Sequence, residues 1–374
     1  MKIEAIDLFC GAGGLTRGLL DAGIRVKAGF DVEASCKYAY ETNNEGAKFH
    51  ERDVGTLTSQ ELEKIWSKGA IRLLAGCAPC QPFSPAANAV RLKDKTKDKD
   101  KEATSGVTVS SGPNDPRYYL LNEFTRLIRQ CNPHLVTMEN VPKVQNHAPF
   151  LNFVMTLKDL GYKVWYKSVA CDKLGVPQTR RRLVLLASRI GDVPTQLVQP
   201  EPYSEGKNVG EVLAALKPLK AGESDPADSI HFARSLTPIN LQRIRASRPG
   251  GTWRDWPEEL RSPCHAKETG ASFGSVYARM RADRASPTMT TQFFNFGAGR
   301  FGHPTQDRAL TPREAALLQS FPKTYDFVGA ESEIYMAQLG KMIGNAVPPK
   351  LGEAIGATFI KHVQSTIAPG RTRG

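Results

Sequence analysis

"IEAIDLFCGAGGLTRGLL", residues 3–20, runs from a strand through a glycine-rich turn into a helix. "IEAIDLF" has the apolar run of a strand, and "GLTRGLLDAG" reads as a helix closed by Gly23. Gly11, Gly13 and Gly14 stand at the junction, where glycine lets the chain turn sharply and lets a ligand approach the backbone. The same rhythm continues to about residue 189. "RVKAGFD" is a second strand and "ASCKYAYETN" a second helix; "IRLLAGCAP" is a strand and "YYLLNEFTRLIRQCNP" a helix stopped before Pro133. "HLVTMEN", the helix "FLNFVMTLKDLGY", "KVWYKSVA" and "RLVLLAS" follow. Such alternation predicts an α/β fold: a parallel sheet covered by helices on both faces, with ligands outside the carboxyl ends of the strands.

Two stretches break the rhythm. Residues 86–114 carry mixed charge and then Ser and Gly without apolar periodicity, the composition of a long loop that serves as lid or linker. From about 190 to 285 Pro, Gly and Arg become frequent, which predicts a smaller second domain. From Asp307 the sequence turns helical again, with a Thr-Pro-x-Glu helix start in "LTPREAALLQSF". A last helix, "PPKLGEAIGATFIKHV", follows "GKMIGNAVPP", and no internal repeat is present.

At 374 residues, with 40% hydrophobic and 24% charged content, the chain has the composition of a soluble globular protein of about two domains. "MKIEAIDLFCGAGG" has no long apolar stretch, which argues against a signal peptide or membrane span and predicts a cytoplasmic protein. Seven scattered cysteines fit reduced intracellular thiols. The net charge of +12 favours a polyanionic partner only slightly over plain solubility.

The dinucleotide pattern G-x-G-x-x-G would need glycine where Thr16 stands, so a pyrophosphate site, and with it an oxidoreductase, is disfavoured. Asp31 ends the second strand, where a carboxylate can hold ribose hydroxyls, and Asp53 follows the third. A ribose-bearing, phosphate-free cofactor such as S-adenosylmethionine fits; a tight structural turn is the competing reading. In "GCAPCQPFSP" (76–85), Cys77 and Cys80 form C-A-P-C. No second Cys-x-x-Cys or His pair accompanies it, so no metal site is expected. A thioredoxin-type motif opens a helix, whereas Pro79 and Pro82 hold this segment extended. Burial is the commonest fate of a cysteine, but Cys80 lies in a polar loop at a carboxyl strand end. "TMENVP" puts Glu139 at the end of the next strand, as an acid or as an ion-pair member. "QTRRR" puts Arg180 and Arg182 on one side of the chain as it enters a strand, aimed at the site or forming a solvated face.

Together these blocks resemble the DNA (cytosine-5)-methyltransferases of the bacterial and phage single-specificity type, over nearly the whole chain and in their usual order. "DLFCGAGG" looks like the cofactor loop, "PCQPFS" the nucleophile block, "ENV" the acid and "QTRRR" the Gln-x-Arg-x-Arg block; "SPTMTT" (286–291) and "GNAVPP" (344–349) resemble the two late blocks. The resemblance implies a Rossmann-like S-adenosylmethionine-dependent sheet with a smaller irregular target-recognition domain. Residues 1–189 would form the catalytic and cofactor-binding domain, completed by 336–374. Residues 190–308 would be the target-recognition domain, and 309–335 a helical hinge. Cys80 would be the nucleophile, Glu139 the group at cytosine N3, Arg182 a contact to the base O2 and Arg180 a support for the catalytic loop. Phe9 would lie against the adenine, with Gly11, Gly13 and Gly14 in the cofactor loop. Asp31 would take the ribose and Asp53 the adenine amino group, with Leu120 and Asn345 completing the pocket. Many members carry glutamate where Asp31 stands. Asp31 is preferred because "YETN" downstream fixes the spacing, with Glu33 as the alternative.

The implied activity is methyl transfer from S-adenosylmethionine to carbon 5 of a flipped-out cytosine in a specific duplex sequence. It further implies a monomer on duplex DNA, nucleoid-associated and without membrane contact, in a restriction-modification pair with a nuclease encoded nearby or as an orphan. An RNA cytosine-5 methyltransferase and a catalytically silent DNA-binding module are the alternatives. A thiolate must add to C6 before C5 can take a methyl group, and forming thiolate at pH 7 costs a free thiol about 2 kcal/mol; nearby arginines are expected to lower that cost. A stacked base hides C6, so the nucleotide must be extruded, with the 86–114 loop as lid. Between 231 and 284 ten Arg/Lys face five Asp/Glu, a surplus suited to phosphate. In "RPGGTWRDWPEEL", Trp253 and Trp256 either reach base edges or fill a small core.

Overall fold

In the computed structural model the apolar runs become β1 (Ile3–Leu8), β2 (Arg25–Asp31), β4 (Ile71–Gly76), β5 (Leu135–Asn140), β6 (Lys163–Ala170) and β7 (Arg181–Ser188), and the strand before Asp53 is the short, mostly exposed β3 (Lys48–Glu51). The structure describes residues 2–83, 115–199, 208–266, 274–329, 332–333 and 335–367. The loop expected at 86–114 lies outside the described residues. The strands form one sheet in the order β3-β2-β1-β4-β5-β7-β6. β1 and β5 are buried along their whole length, as near-continuous apolar strands covered on both faces must be.

The sheet departs from the parallel arrangement in one place. β1 to β5 pair in parallel, but β7 runs antiparallel to both β5 and β6. β6 and β7 are joined only by residues 171–180, too short for a crossover helix, so the chain must return in the opposite sense. This reversal matters for the site. The start of an antiparallel strand lies at the edge where its parallel neighbours end, so Arg180–Arg182 arrive at the carboxyl edge of β5.

Helices α1 (Gly14–Asp21), α2 (Lys37–Asn43), α3 (Ser59–Glu63), α4 (Leu120–Cys131) and α5 (Ala148–Asp159) connect these strands. α4 stops at Asn132, whose left-handed backbone (φ 49°) turns the chain ahead of Pro133. Beyond the sheet come α6 (Val209–Leu213), α7 (Pro238–Ala246), α8 (Pro312–Leu318), α9 (Met336–Gly344) and α10 (Pro349–Ile367). The Thr-Pro-x-Glu start of α8 forms a reciprocal capping box between Thr311 and Glu314.

Two apolar cores flank the sheet. Leu73, Ala75 and Leu135 face one, with Phe359 of α10; Leu74 and Val136 face the other, with Phe124 and Phe153 of α4 and α5. This is the period-two alternation of strands. A third, smaller core gathers Ile244, Trp253, Trp256, Phe296 and Ala309. Both tryptophans are therefore packing residues: Trp256 donates from Nε1 to Ser247 Oγ at 2.8 Å, and Trp253 stacks on His265. Gln178 ties the late blocks to the sheet, donating to Leu318 O and Gln319 Oε1 and accepting from Met289 N. No helix among the described residues is long and apolar enough to cross a membrane.

Candidate active site

The strand registers line up one row of side chains along the carboxyl edge of the sheet. Leu8 pairs with Phe30 and with Gly76, and Gly76 with Met138, so the next residues, Phe9 and Cys77 just beyond β1 and β4 and Asp31 and Glu139 on β2 and β5, follow at one level. Glu139 pairs with Val184, which puts Arg182, two residues before it, on the same face. With strands about 4.8 Å apart, Phe9 and Glu139 lie about 10 Å from each other, two strand spacings.

Glu139 is almost wholly buried, and Arg182 Nε lies 2.8 Å from its Oε1. Among the described residues no donor is aligned on Oε1 for a directed hydrogen bond, so this is an electrostatic contact. The other oxygen, Oε2, accepts from the thiol of Cys77 at 2.8 Å. Asn140 locks the loop beyond: its Nδ2 donates to Ala78 O at 2.9 Å. Cys80 follows at the mouth of this loop, its carbonyl accepting from Phe83 N. Burial pushes the Cys80 thiol above its ordinary value; Arg182 and Arg180 pull it down, Glu139 pushes it up, and burial wins. The two arginines thus act in the expected sense but do not prevail, because a thiolate here has lost its water. Arg117, clamped by the buried Asp115 through Nε and Nη2, adds a third cation near Cys80.

Arg180 is fully enclosed, and burial together with Arg182 lowers it to about 10. Its guanidinium donates to the carbonyls of Met289, Gly344 and Ala346, stitching the entry of β7 to "SPTMTT" and "GNAVPP". It contacts backbone, whereas Arg182 contacts Glu139.

On the other side of the row, the glycine loop is wound through left-handed conformations at Phe9 (φ 58°), Gly11 (φ 51°) and Gly13 (φ 88°). An aromatic residue held there is strained, which is common at ligand sites. A side chain at Gly13 would strike Tyr40, Asn44 and Tyr325, so glycine is required; one at Gly11 would meet open space, leaving a cradle beside the backbone. Asp31 braces the loop, accepting from Gly11 N at 2.8 Å and Glu33 N at 2.9 Å, and burial raises it against these donors. Glu33 instead reaches Lys341 at 3.6 Å. Asp53 is exposed and caps the turn Val54–Thr56, which Arg126 of α4 holds through Val54 O. Leu120 opens α4, and Asn345 is exposed at the end of α9. Val347 O lies against Gly14, bringing the Asn345 loop onto the start of α1.

Three neighbours of the candidate residues were not singled out from the sequence in these positions. Cys77 is bonded to Glu139, a contact set by the β4–β5 register, which no motif spells out. Asn140 was visible in "ENV", but its grip on Ala78 was not. Val32, 66% exposed beside Asp31, offers an apolar surface next to the carboxylate and carries no sequence signal. The geometry combines a buried carboxyl, a cation and a thiol at one end of the row with a glycine cradle, a carboxylate and an apolar face at the other. It can hold a ribose-bearing ligand next to a planar, hydrogen-bonding one.

A family model described as C-5 cytosine-specific DNA methylase matches residues 3–361. The Type II methylase M.HgiDII of Herpetosiphon aurantiacus is 42% identical over 98% of this chain and 98% of its own length. The Type II methyltransferase M1.HphI of Haemophilus parahaemolyticus is 30% identical, covering 96% of this chain and 87% of its own. Among solved structures, a prophage-encoded protein of E. coli described as a DNA modification methyltransferase superposes with TM-score 0.70 at 19% identity, covering 96% of this chain and 99% of that one.

Proposed function

The chain belongs to the C-5 cytosine-specific DNA methylase family and is a DNA cytosine methyltransferase; from that premise we propose that it methylates carbon 5 of an extruded cytosine through a covalent bond to Cys80. The observation that carries this reading is the buried Glu139 carboxyl, faced by Arg182, with Cys80 coupled to both. The Cys80 thiolate adds to C6 of the base. The electron pair of the C5–C6 double bond is then released toward C5, while the Glu139 carboxyl supplies a proton at N3. Arg182 holds the base O2 and Glu139 together, and Arg180 keeps the surrounding loops in register. After C5 has been alkylated, a base removes its proton, that electron pair restores the C5–C6 double bond and expels the thiolate, and the N3 proton returns to Glu139. The resting thiol is the form that burial favours, so the nucleophile is formed when the cleft closes over DNA.

The cofactor in this reading is S-adenosylmethionine, which when bound supplies the electrophilic methyl group. The open space at Gly11 and the exposed Val32 beside Asp31 fit it. Asp31 is the ribose ligand rather than Glu33, because it stands in the row with Phe9. Gly13 and Gly14 shape the loop, Asp53 takes the adenine amino group, and Leu120 and Asn345 close the pocket. The same proposal divides the chain into a catalytic domain (1–189 with 336–374), a recognition domain (190–308) and a helical hinge (309–335). The Type II names of the relatives support a specific duplex site and a restriction-modification partner; the same reading takes the protein as a monomer acting on DNA in the cytoplasm.

The test is covalent trapping. DNA carrying 5-fluorocytosine at the modified position, mapped first by bisulfite sequencing, should form a stable adduct when S-adenosylmethionine is present. Cys80→Ser should form none and should lose turnover while still binding DNA. Unchanged turnover in that variant overturns the nucleophile assignment.

A further inference from the structure

We propose that Cys77 is a positioning residue for Glu139: its thiol hydrogen bond aims the carboxyl at the base while leaving it free to take up a proton. This rests on the reading of Glu139 as the acid at N3.

The geometry comes first. The Cys77 thiol donates to Oε2 at 2.8 Å, while Arg182 faces Oε1. These two contacts from neighbouring strands on either side fix the plane of the carboxyl. Cys77 cannot drift, because its N–H is held by Leu8 O and the next carbonyl, that of Ala78, is held by Asn140. The choice of a thiol has a physical reason. A strong donor such as a hydroxyl would stabilise the carboxylate and oppose proton uptake; a thiol is a weak donor that still defines direction. The contact also sorts the two thiols. Burial and then Glu139 push Cys77 well above its ordinary value against Arg182, whereas Cys80, also raised by burial and by Glu139, has both Arg182 and Arg180 pulling it down. Of the pair in C-A-P-C, Cys80 is the thiol held less far from ionisation.

The charged and titratable groups around Glu139 are Arg182 and Arg180 at the start of β7, Cys77 and Cys80 beyond β4, and Cys171 after β6. A thiolate with a protonated carboxyl differs from a thiol with a carboxylate only in where one proton sits. The acid limb of a bell-shaped rate profile therefore reports the Cys80–Glu139 pair together. Removing the thiol donor moves that limb to higher pH, and strengthening the donor moves it lower.

The experiment measures single-turnover methyl transfer from radiolabelled S-adenosylmethionine to unmethylated phage λ DNA across the pH range, using the full chain. Cys77→Ala should move the acid limb up and Cys77→Ser should move it down, each by about half a unit, or about threefold in rate at a fixed pH on the limb. A purely structural role lowers the rate without moving the limb in opposite senses. Limbs that coincide with that of the unmodified protein, or that move the same way in both variants, overturn the proposal. If one variant does not fold, the other's limb decides. Glu139→Gln is run alongside: full turnover there overturns the acid reading itself, whereas loss of turnover there with unmoved Cys77 limbs overturns this proposal alone.

Discussion

Thr16 stands where a dinucleotide loop has its third glycine, and its side chain shows why this loop is built differently. Its hydroxyl donates to Asp7 Oδ2 at 2.7 Å and lies 3.0 Å from the hydroxyl of Tyr40, tying α1 back onto β1. Asp7 is fully buried, its Oδ1 has no partner among the described residues, and burial, only partly opposed by Thr16, raises it to about 7. The consequence for stability has a definite sign. The unfolded chain releases this proton near pH 4, whereas the folded chain keeps it until about 7. Asp7 therefore contributes stability below about pH 4 that is lost as the pH rises toward 7, by a few kcal/mol. Urea unfolding of the Asp7→Asn variant against the unmodified protein should give a stability difference that shifts in favour of asparagine between about pH 4.5 and 7.5; a difference that stays constant contradicts the assignment. Arg182 makes a second prediction at this scale. Its contact with Glu139 runs through Nε, an atom lysine lacks, so Arg182→Lys should keep the charge yet lower the single-turnover rate about 100-fold. Rates within a factor of three of the unmodified protein would count against it.

The elements that carry the site owe their closeness to small residues. α10 crosses α1 so tightly that a methyl group on Gly18 would lie 2.5 Å from Glu353 N and even closer to Pro349 O. Both are backbone atoms at the start of α10, so nothing flexible can yield. Gly18→Ala should cost about 3 kcal/mol and lower Tm by several degrees. Because "GNAVPP" leads directly into α10, the same variant should also raise the KM for S-adenosylmethionine; a normal Tm and KM would show that the helices can part. Most strands and helices were legible in the sequence because most strands are apolar runs, several of them ending in a polar residue, as at Asp31, Asn140 and Ser188. The ends of such runs are where the candidate residues lie. The direction of β7 was not legible. Its apolar pattern is the same either way, and only the short connection from Ala170 to Arg181 forces the reversal that delivers Arg182 to the carboxyl edge. α3, only five residues long, left no periodic signal. The bond between Cys77 and Glu139 joins two strands by register, and a single sequence does not display register between strands 60 residues apart.

For the whole molecule, the net charge of +12 overstates what is available to bind DNA. Many cations of the region from 231 to 284 are committed within the protein. Arg279 is buried and donates to Ile244 O and Asp307 Oδ1, and Arg243 holds Leu260 O and Ser262 Oγ. Arg261 holds Trp256 O, while Arg281 pairs with Asp283 and Arg248 with Asp255. The surplus read from the sequence is therefore partly a folding device, in which guanidinium groups bind backbone carbonyls where regular secondary structure is scarce. Ten phosphate contacts would make log K for duplex DNA fall against log salt with a slope of about −9. The committed arginines predict a shallower slope. They also separate two kinds of arginine: Arg248, largely exposed, is able to leave Asp255 for a phosphate, whereas Arg279 is not able to leave the core. Filter-binding titrations over a range of salt should show Arg248→Ala reducing the slope by about one. Arg279→Ala should leave the slope unchanged while lowering Tm. A slope near −9, or one that falls with Arg279→Ala, would mean that arginines now holding residues 231–284 together are released to the DNA when it binds.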